Sequence, residues 1–399
     1  MMPETTQRMT IRQRVEAILA GTTPDRLPFL DRLEAWHATH LRAGTLPAEL
    51  RGLSLTEVHR RVGMGQQRFV VAYALRLRGV EVVSTFRGEP HYHETDPVIV
   101  EFPGMWDLVP GDRAGITETE LRTPVGKLRV RQELLEQGVA SGTAPYLKEH
   151  LIKDQTDFAT VAYILERAEY VPRYDKVAEE AAVIGEDGYV CPLLHRIPFQ
   201  QVLLEYLGEA PLFYALADNR PSVDRLLQQL DEQMGEILRR VAELDVRYVE
   251  FPDNLHGLMT NPKLFREFCL GAYQRYCETL HAQGKKVGSH TDGDVKGLLG
   301  LLRESGLDVC ESISPQPLTS ATFEEIWEAW RGGPIVWGGI PSPLLEPRTS
   351  QAEFEAWIER MLEQVGTAPI ILGVGDMVMG NNRIERVEAI ARRVEAHVL

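Results

Sequence analysis

The sequence contains little cysteine and no long apolar segment. Its four cysteines, Cys191, Cys269, Cys277 and Cys310, are scattered and form no CxxC pair, which argues against a disulfide framework and against a zinc ribbon. No run of about 18 apolar residues occurs, so no membrane span is predicted. The charged N-terminal segment also lacks the apolar core of a signal peptide. We therefore predict a cytoplasmic protein in a reducing environment.

Positive charge is scarce as well. The chain has 58 acidic and 43 basic residues among 399, a formal net charge of −15. This balance argues against a general nucleic-acid binder and against binding to anionic membranes. It is compatible with cationic or neutral small substrates, and with polyanions held by a local cluster of arginines. Hydrophobic residues make up 44% of the chain and charged residues 25%, which is typical of a globular protein with a substantial core.

Short apolar runs alternate with amphipathic stretches of helical periodicity. Runs rich in Val and Ile without polar alternation indicate parallel strands buried on both faces. Eight such units suit a (β/α)8 barrel, which needs about 250 residues. A doubly wound open sheet is the alternative, weakened because neither GxGxxG nor a P-loop occurs. The predicted strands are 27–30, 79–84, 188–194, 246–251, 285–290, 307–313, 334–340 and 369–375.

The residues in excess of a minimal barrel lie in the N-terminal part of the chain. Residues 1–26 are predicted to form an N-terminal helical arm, and residues 27–399 the barrel domain. Residues 44–78 have a helical pattern. Residues 118–133 alternate around a Pro-Val-Gly-Lys turn, which predicts a β-hairpin inserted after the second strand.

Polar side chains follow the predicted strands. In a (β/α)8 barrel, the functional residues lie at the carboxyl ends of the strands. Four carboxylates on different strands of the second half, accompanied by a histidine, suggest one shared site. The candidates, from the first strand to the eighth, are Asp31, Arg32, Trp36 and His37; Ser84, Thr85 and Arg87; Cys191, His195 and Arg196; Asp253, Asn254 and His256; His290 and Asp292; Cys310 and Glu311; Ser342; and Asp376.

Several segments resemble the uroporphyrinogen decarboxylase-like superfamily. That superfamily includes uroporphyrinogen decarboxylases, methylcobamide:coenzyme M methyltransferases and corrinoid-dependent demethylases. The resemblance extends over nearly the whole chain and implies a (β/α)8 barrel and a homodimer. The segments are TIRQRVEAILAGTTPDRLPF (10–29), TPVGKL (123–128), FPDNL (251–255), NPKLFREF (261–268), GKKVGSHTDGD (284–294), GLDVCES (306–312), VWGGIPS (336–342) and LGVGDMV (372–378).

The decarboxylase pattern fails at three positions. The resemblance implies two arginines after the first strand, where this sequence has only Arg32. It implies an aspartate after the second strand, where Ser84 and Thr85 stand, and a histidine after the last strand, where Asp376 stands. These departures argue against decarboxylation of uroporphyrinogen.

The methyltransferase pattern fits better, although both of its thiolates are replaced. The resemblance implies zinc bound by His-x-Cys after the fifth strand, a carboxylate after the sixth and a cysteine after the eighth. The matching residues here are His290, Asp292, Glu311 and Asp376. One histidine with three carboxylates is a harder ligand set that admits Zn²⁺, Mn²⁺ or Fe²⁺. Such an ion would polarise an oxygen atom, for instance that of an ether.

These observations predict methyl transfer from a small methylated compound to a corrinoid. No DxHxxG motif is present, so the corrinoid would be free or would belong to a separate protein. A decarboxylase or lyase acting on a carboxylated or tetrapyrrole substrate is the second hypothesis, and a non-catalytic metabolite binder is the third. Without metal, His290 would serve as general acid or base.

The remaining candidates are assigned by position. His290, Asp253 and Glu311 are predicted to be catalytic. Alternation along a strand directs Glu311 inward and Cys310 outward. Trp36 and His37 are predicted to cover the site as an aromatic lid. The predicted substrate-binding residues are Arg32, Trp36, His37, His195, Arg196 and Asn254.

Overall fold

The computed structural model describes residues 8–101, 108–366, 368 and 370–397. The strands are β1 (Leu30–Asp31), β2 (Gly65–Val71), β3 (Tyr73–Leu77), β4 (Glu81–Phe86), β5 (Glu89–Glu94), β6 (Val98–Glu101), β7 (Gly115–Thr123), β8 (Gly126–Leu134), β9 (Tyr146–Glu149), β10 (Ala168–Pro172), β11 (Gly188–Leu193), β12 (Tyr248–Phe251), β13 (Lys286–His290), β14 (Val309–Ile313), β15 (Ile335–Ile340) and β16 (Ile371–Val374). The α-helices are α1 (Ile11–Leu19), α2 (Glu34–Ala43), α3 (Leu55–Val62), α4 (Glu136–Ser141), α5 (Asp157–Leu165), α6 (Tyr174–Ile184), α7 (Pro198–Gln201), α8 (Glu209–Asp218), α9 (Arg220–Val241), α10 (Pro262–Leu264), α11 (Leu270–Ala282), α12 (Leu299–Glu304), α13 (Phe323–Ala329), α14 (Gln351–Val365) and α15 (Ile384–Ala396).

Eight parallel strands form the barrel, in the order β1-β2-β11-β12-β13-β14-β15-β16. A parallel bridge between Phe29 and Leu372 joins the first strand to the last. The buried carboxylate of Asp31 reinforces this seam, because it accepts a hydrogen bond from the backbone N–H of Val374. The predicted (β/α)8 fold is confirmed.

The second barrel strand differs from the prediction. The prediction placed it at 79–84 and made 44–78 helical, whereas the structure has helix α3 followed by strand β2. Strand β2 begins GQQ, and its Gln67 is buried. A search for continuous apolar runs misses such a strand. Segment 79–84 contributes instead to β4, so Ser84 and Thr85 lie in an inserted sheet rather than at the end of a barrel strand.

The insertion between β2 and β11 is larger than the predicted hairpin. The hairpin itself is confirmed, because β7 and β8 pair antiparallel from Gly115–Leu134 to Thr123–Gly126. They lie in a five-stranded antiparallel sheet of order β5-β4-β7-β8-β9. A three-stranded sheet of order β10-β3-β6 accompanies it. The insertion leaves the sequential order of the barrel strands unchanged.

The N-terminal arm closes the underside of the barrel. Helix α1 begins with a capping box between Thr10 and Gln13. Its Val15 and Ile18 are buried in the same cluster as Trp337 and other residues of the barrel strands. Side chains of α1 therefore fill the amino-terminal end of the barrel. The functional site is expected at the opposite, carboxyl-terminal end of the strands. Residues 1–7 of the predicted arm and Pro369 of the predicted last strand lie outside the described residues.

We expect Ile18→Val to lower the free energy of unfolding by about 0.5–1.5 kcal/mol, because it removes one methyl group from a packed core. Ile18 is 1% exposed. Denaturant unfolding followed by circular dichroism measures the effect. Leu41→Ala is the control, since Leu41 is 60% exposed. Equal effects of the two substitutions would contradict the packing of α1 against the barrel.

Within the described ranges, no helix combines the length and the apolar character needed to cross a membrane.

Candidate functional site

A histidine–carboxylate pair lies inside the carboxyl end of the barrel. His290 ends β13 and is in register with Glu311 on β14. The Nδ1 atom of His290 forms a short hydrogen bond with Oε2 of Glu311. Gln67 of β2 donates to the other oxygen, Oε1, at 2.8 Å. The imidazole ring is therefore fixed in orientation, and its Nε2 atom faces away from Glu311.

Two further carboxylates face that free nitrogen. Nε2 of His290 lies 3.8 Å from Oδ2 of Asp292 and 3.9 Å from Oδ1 of Asp376. One ligand atom from each of the three residues lies within 4.8 Å of the other two. Arg32 donates to Oδ1 of Asp376 at 2.6 Å and supplies the nearby positive charge. Three of the four predicted metal ligands thus converge around Nε2, and the fourth, Glu311, bonds the opposite side of the ring.

The backbone around this site is strained. Four non-glycine residues have positive φ angles: Asn254 (52°), Asp292 (22°), Ser312 (59°) and Asp376 (63°). Asn254, Asp292 and Asp376 follow strands β12, β13 and β16, and Ser312 is the penultimate residue of β14; among the described residues only Arg87 is another non-glycine with positive φ. Such conformations cost about 1–3 kcal/mol each and cluster at functional sites. The strain therefore marks the carboxyl end of the barrel as the place of function.

The charges of the site are strongly coupled. Burial disfavours the charged form of His290, but the adjacent Glu311 carboxylate outweighs it and raises the pKa of His290 to about 9. Burial, with repulsion from Asp376, raises the pKa of Asp292 to about 6. Burial acts against the Glu311 carboxylate too, yet His290 holds its pKa below the usual value. Negative charge is therefore concentrated here, and a bound cation would stabilise it.

Sequence reasoning missed a buried glutamate beneath this site. Glu250 on β12 is 0% exposed, and it accepts a hydrogen bond from the hydroxyl of Tyr248 at 2.8 Å. It forms a second potential ligand group with His290 and Glu311. Burial, followed by repulsion from Glu311, raises its pKa well above the usual value. The sequence did contain an indication of Glu250, because an acidic residue inside the apolar run VRYVEF must be paired or functional when it is buried.

An aromatic residue that was also missed forms one wall of the site. Phe69 of β2 packs edge-on against His290, with ring centroids 5.6 Å apart. The Arg32 guanidinium lies over the same ring, 4.7 Å from its centroid. Phe69 and Gln67 were not predicted as site residues because their strand, β2, lies in the segment 44–78 that was predicted to be helical.

Two predicted substrate-binding residues line the neighbouring edge of the site. Asn254 donates to Oδ2 of Asp292 at 3.1 Å, and Arg196 donates to the side-chain oxygen of Asn254 at 2.9 Å. Arg196 also pairs with Glu205 at 3.1 Å. The adjacent His195 is held neutral, since burial and the nearby Arg196 lower its pKa to about 3.

Other predicted residues lie elsewhere. The buried Asp253 carboxylate accepts from the backbone N–H of Ile197 at 2.8 Å and from the hydroxyl of Ser289 on β13 at 3.2 Å, so it joins the loop before α7 to β13 rather than meeting His290. Trp36 is 1% exposed and donates to the carbonyl of Asn382 at 3.1 Å, which places it in the core instead of in a lid. His37, next to it on α2, is half-buried and forms none of the described hydrogen bonds of the His290 cluster.

The inward and outward directions predicted on β14 are observed. Glu311 bonds His290 inside the barrel. Cys310 is buried in the hydrophobic layer that also contains Cys269 and Cys277 of the outer helical region. No cysteine belongs to either group of potential metal ligands found among the described residues.

Comparison with known proteins relates the C-terminal part of this barrel to one family. The uroporphyrinogen decarboxylase (URO-D) family model matches residues 210–397, the part of the chain that supplies His290, Asp292, Glu311 and Asp376. The resemblance inferred from the sequence is thereby confirmed over this part of the chain. None of the curated protein sequences matches it.

Two solved structures illustrate the relation. A methyltransferase from Methanosarcina mazei is similar over 98% of this chain and 99% of its own, with 14% sequence identity and a TM-score of 0.59. A B12-independent methionine synthase from Shewanella sp. W3-18-1 is similar over 55% of this chain and 64% of its own, with 13% identity and a TM-score of 0.38. At 14% identity, the likeness to the first structure shows a shared fold.

Proposed function

We propose that the protein is a metal-assisted methyltransferase that moves a methyl group from a small methylated compound to a corrinoid. The observation that supports it is the arrangement of His290, whose Nδ1 is held by Glu311 while Nε2 faces Asp292 and Asp376. Histidines that ligate metals usually donate their other ring nitrogen to a carboxylate or a carbonyl. The match of residues 210–397 to the URO-D family model adds support, since the superfamily that this sequence resembles includes methyltransferases.

The donor set fits a divalent cation. One imidazole nitrogen and two carboxylate oxygens approach one another within 4.8 Å. Nitrogen with oxygen suits Zn²⁺, Mn²⁺ or Fe²⁺. We assign His290, Asp292 and Asp376 as the ligands, and Glu311 as the residue that orients His290. This assignment differs from the sequence prediction, in which Glu311 was itself a ligand.

When bound, the ion would act as a Lewis acid toward an oxygen of the methyl donor. The residues of the chain orient the reactants. Arg32 holds Asp376 through two hydrogen bonds, at 2.6 Å to Oδ1 and 2.7 Å to the backbone carbonyl. Phe69 offers an apolar ring beside His290, against which a methyl-bearing group can pack. The corrinoid would be free or carried by a separate protein.

Metal analysis followed by a transfer assay tests the proposal. We expect the purified protein to contain a stoichiometric divalent metal. We also expect that cob(I)alamin, mixed with protein and a panel of methyl ethers, methylamines and methanol, is converted to methylcobalamin, as followed by its visible spectrum. Chelated protein should be inactive and should recover on addition of Zn²⁺ or Mn²⁺.

Two results would contradict the proposal. Release of carbon dioxide from a carboxylated substrate, without formation of methylcobalamin, would identify a decarboxylase. Tight binding of a metabolite, with no turnover in either assay, would identify a binding protein. The variant Cys310→Ser is the control and should behave as the wild type, because Cys310 packs outside the barrel.

A further inference from the structure

Ser312 lies between the two carboxylates that face Nε2 of His290. Its hydroxyl donates to Oδ1 of Asp292 at 3.3 Å and accepts the backbone N–H of Asp376 at 2.9 Å. Its side chain is buried, with 3% exposure. Ser312 therefore connects the segment after the fifth barrel strand to the segment after the eighth.

Regular strand geometry would not place it there. Successive side chains of a strand point to opposite faces, so Ser312 should point outward if Glu311 points inward. The pairing of β14 with β15 shifts register between Cys310 and Ile313, and Ser312 has a φ of 59°. This irregularity is a β-bulge, which redirects a side chain. Both Glu311 and Ser312 thereby reach the site.

The neighbouring strand is shaped to accept the bulge. Gly338 of β15 has a φ of 121°, and a Cβ atom there would lie 2.7 Å from the carbonyl oxygen of Ile313 and 2.8 Å from its nitrogen. Only glycine allows so close an approach without a shift of backbone. The local sequence thus stabilises a conformation that is costly for Ser312 itself.

Asp292 is held from both sides as a result. Ser312 donates to its Oδ1 atom, and Asn254 donates to its Oδ2 atom at 3.1 Å. All three residues have positive φ angles. Two hydrogen bonds fix the plane of the carboxylate, and they offset part of its repulsion from Asp376.

We propose that Ser312 is a positioning residue, which holds Asp292 and Asp376 at the separation that binding of a divalent cation requires. The inference rests on the proposed metal site. It goes further because it states that Ser312 determines the metal affinity of that site. The hydroxyl of Ser312 does so by hydrogen bonding to both segments that carry the carboxylates.

Metal titration of three variants tests this role. In Ser312→Ala the hydroxyl is lost and the backbone strain remains, whereas in Ser312→Gly the hydroxyl is lost and the strain is relieved. Removal of a residue that orients metal ligands typically weakens metal binding about 10–100-fold. We expect a loss of this size in both variants, measured by calorimetry with Zn²⁺. We also expect a changed visible spectrum of bound Co²⁺, which reports ligand geometry independently of turnover.

Ser314→Ala is the matched control. Ser314 lies just beyond the end of the same strand, is 7% exposed, and its hydroxyl has no hydrogen-bond partner among the described residues. We expect wild-type affinity and an unchanged Co²⁺ spectrum for this variant. Wild-type affinity in both Ser312 variants would overturn the inference and leave the proposed function standing. Failure of the wild type to bind either ion would overturn both.

Discussion

Replacement of His290 by alanine is expected to abolish retention of divalent metal and leave the barrel folded. His290 is the residue shared by both groups of potential ligands, one with Asp292 and Asp376 and the other with Glu250 and Glu311. Loss of the His290 side chain removes the nitrogen ligand from both groups, so the effect does not depend on which of the two groups binds the ion. The fall in affinity should exceed the roughly 10–100-fold typical of residues that only orient ligands. Elemental analysis after gel filtration, with circular dichroism as a test of folding, measures the result.

Two conservative variants locate the ion. Asp376→Asn removes a charge from the outer group, and Glu250→Gln alters only the inner one. We expect Asp376→Asn to reduce Zn²⁺ affinity strongly and Glu250→Gln to leave it near that of the wild type. The opposite order would place the ion among Glu250, His290 and Glu311.

Glu311→Gln distinguishes an orienting residue from a ligand. If Glu311 orients His290, this variant should lose about 10–100-fold in affinity and still bind metal at high concentration. A variant that binds as poorly as His290→Ala would make Glu311 a ligand. Unchanged metal content in His290→Ala would contradict the whole assignment.

The barrel could be predicted because most of its strands are buried on both faces. Strands β11 to β16 are short and mostly apolar, with few polar residues such as Glu250 and Glu311, and each lies within a predicted strand. Strand β2 could not be found in this way. Its Gln67 faces the polar layer of the barrel interior and bonds Glu311, a contact 244 residues apart in sequence. Because the partner of Gln67 is so distant in sequence, the residues around Gln67 show no hydrophobic periodicity that would predict a strand.

The sequence predicted which residues form the site better than it predicted the role of each residue. His290 ends a parallel strand, Asp292 and Asp376 follow one, and Glu311 lies within β14; the fold alone brings such positions together. Side-chain direction depends on backbone angles that composition does not reveal. Asp253 points into the protein while Asn254, at a φ of 52°, faces Asp292. Adjacent residues of one loop thus have different surroundings.

A second cluster at the same end of the barrel contains a carboxylate with an unusual titration. Glu205 lies in a π-helical turn, is 7% exposed, and pairs with Arg196 at 3.1 Å. Burial outweighs the attraction of Arg196 and raises the pKa of Glu205 from 4.5 to about 7. The folded state therefore binds this proton more tightly than the unfolded chain does. The contribution of Glu205 to stability falls as pH rises through that interval.

We expect Glu205→Gln to remove this pH dependence. Below about pH 4.5 the carboxyl is neutral in both states, so wild type and variant should differ by a constant. As pH rises to about 7, the wild type should lose stability relative to the variant. At about 1.4 kcal/mol per pH unit, the interval from pH 4.5 to about 7 corresponds to about 3.5 kcal/mol. Arg196 keeps its hydrogen bond to Asn254 in the variant, which limits the disturbance to the loop.

Urea unfolding of both proteins at intervals from pH 4.5 to pH 8 measures the difference. The change with pH is the informative quantity, because the substitution also alters stability by an amount independent of pH. Asp253, whose pKa is raised by burial to about 6, is present in both proteins and should contribute nearly equally to each. Glu209→Gln, at an exposed carboxylate four residues further along the chain, is the control and should parallel the wild type. A constant difference between wild type and Glu205→Gln over this range would show that the pKa of Glu205 is the same in the folded and unfolded states, and would contradict the prediction.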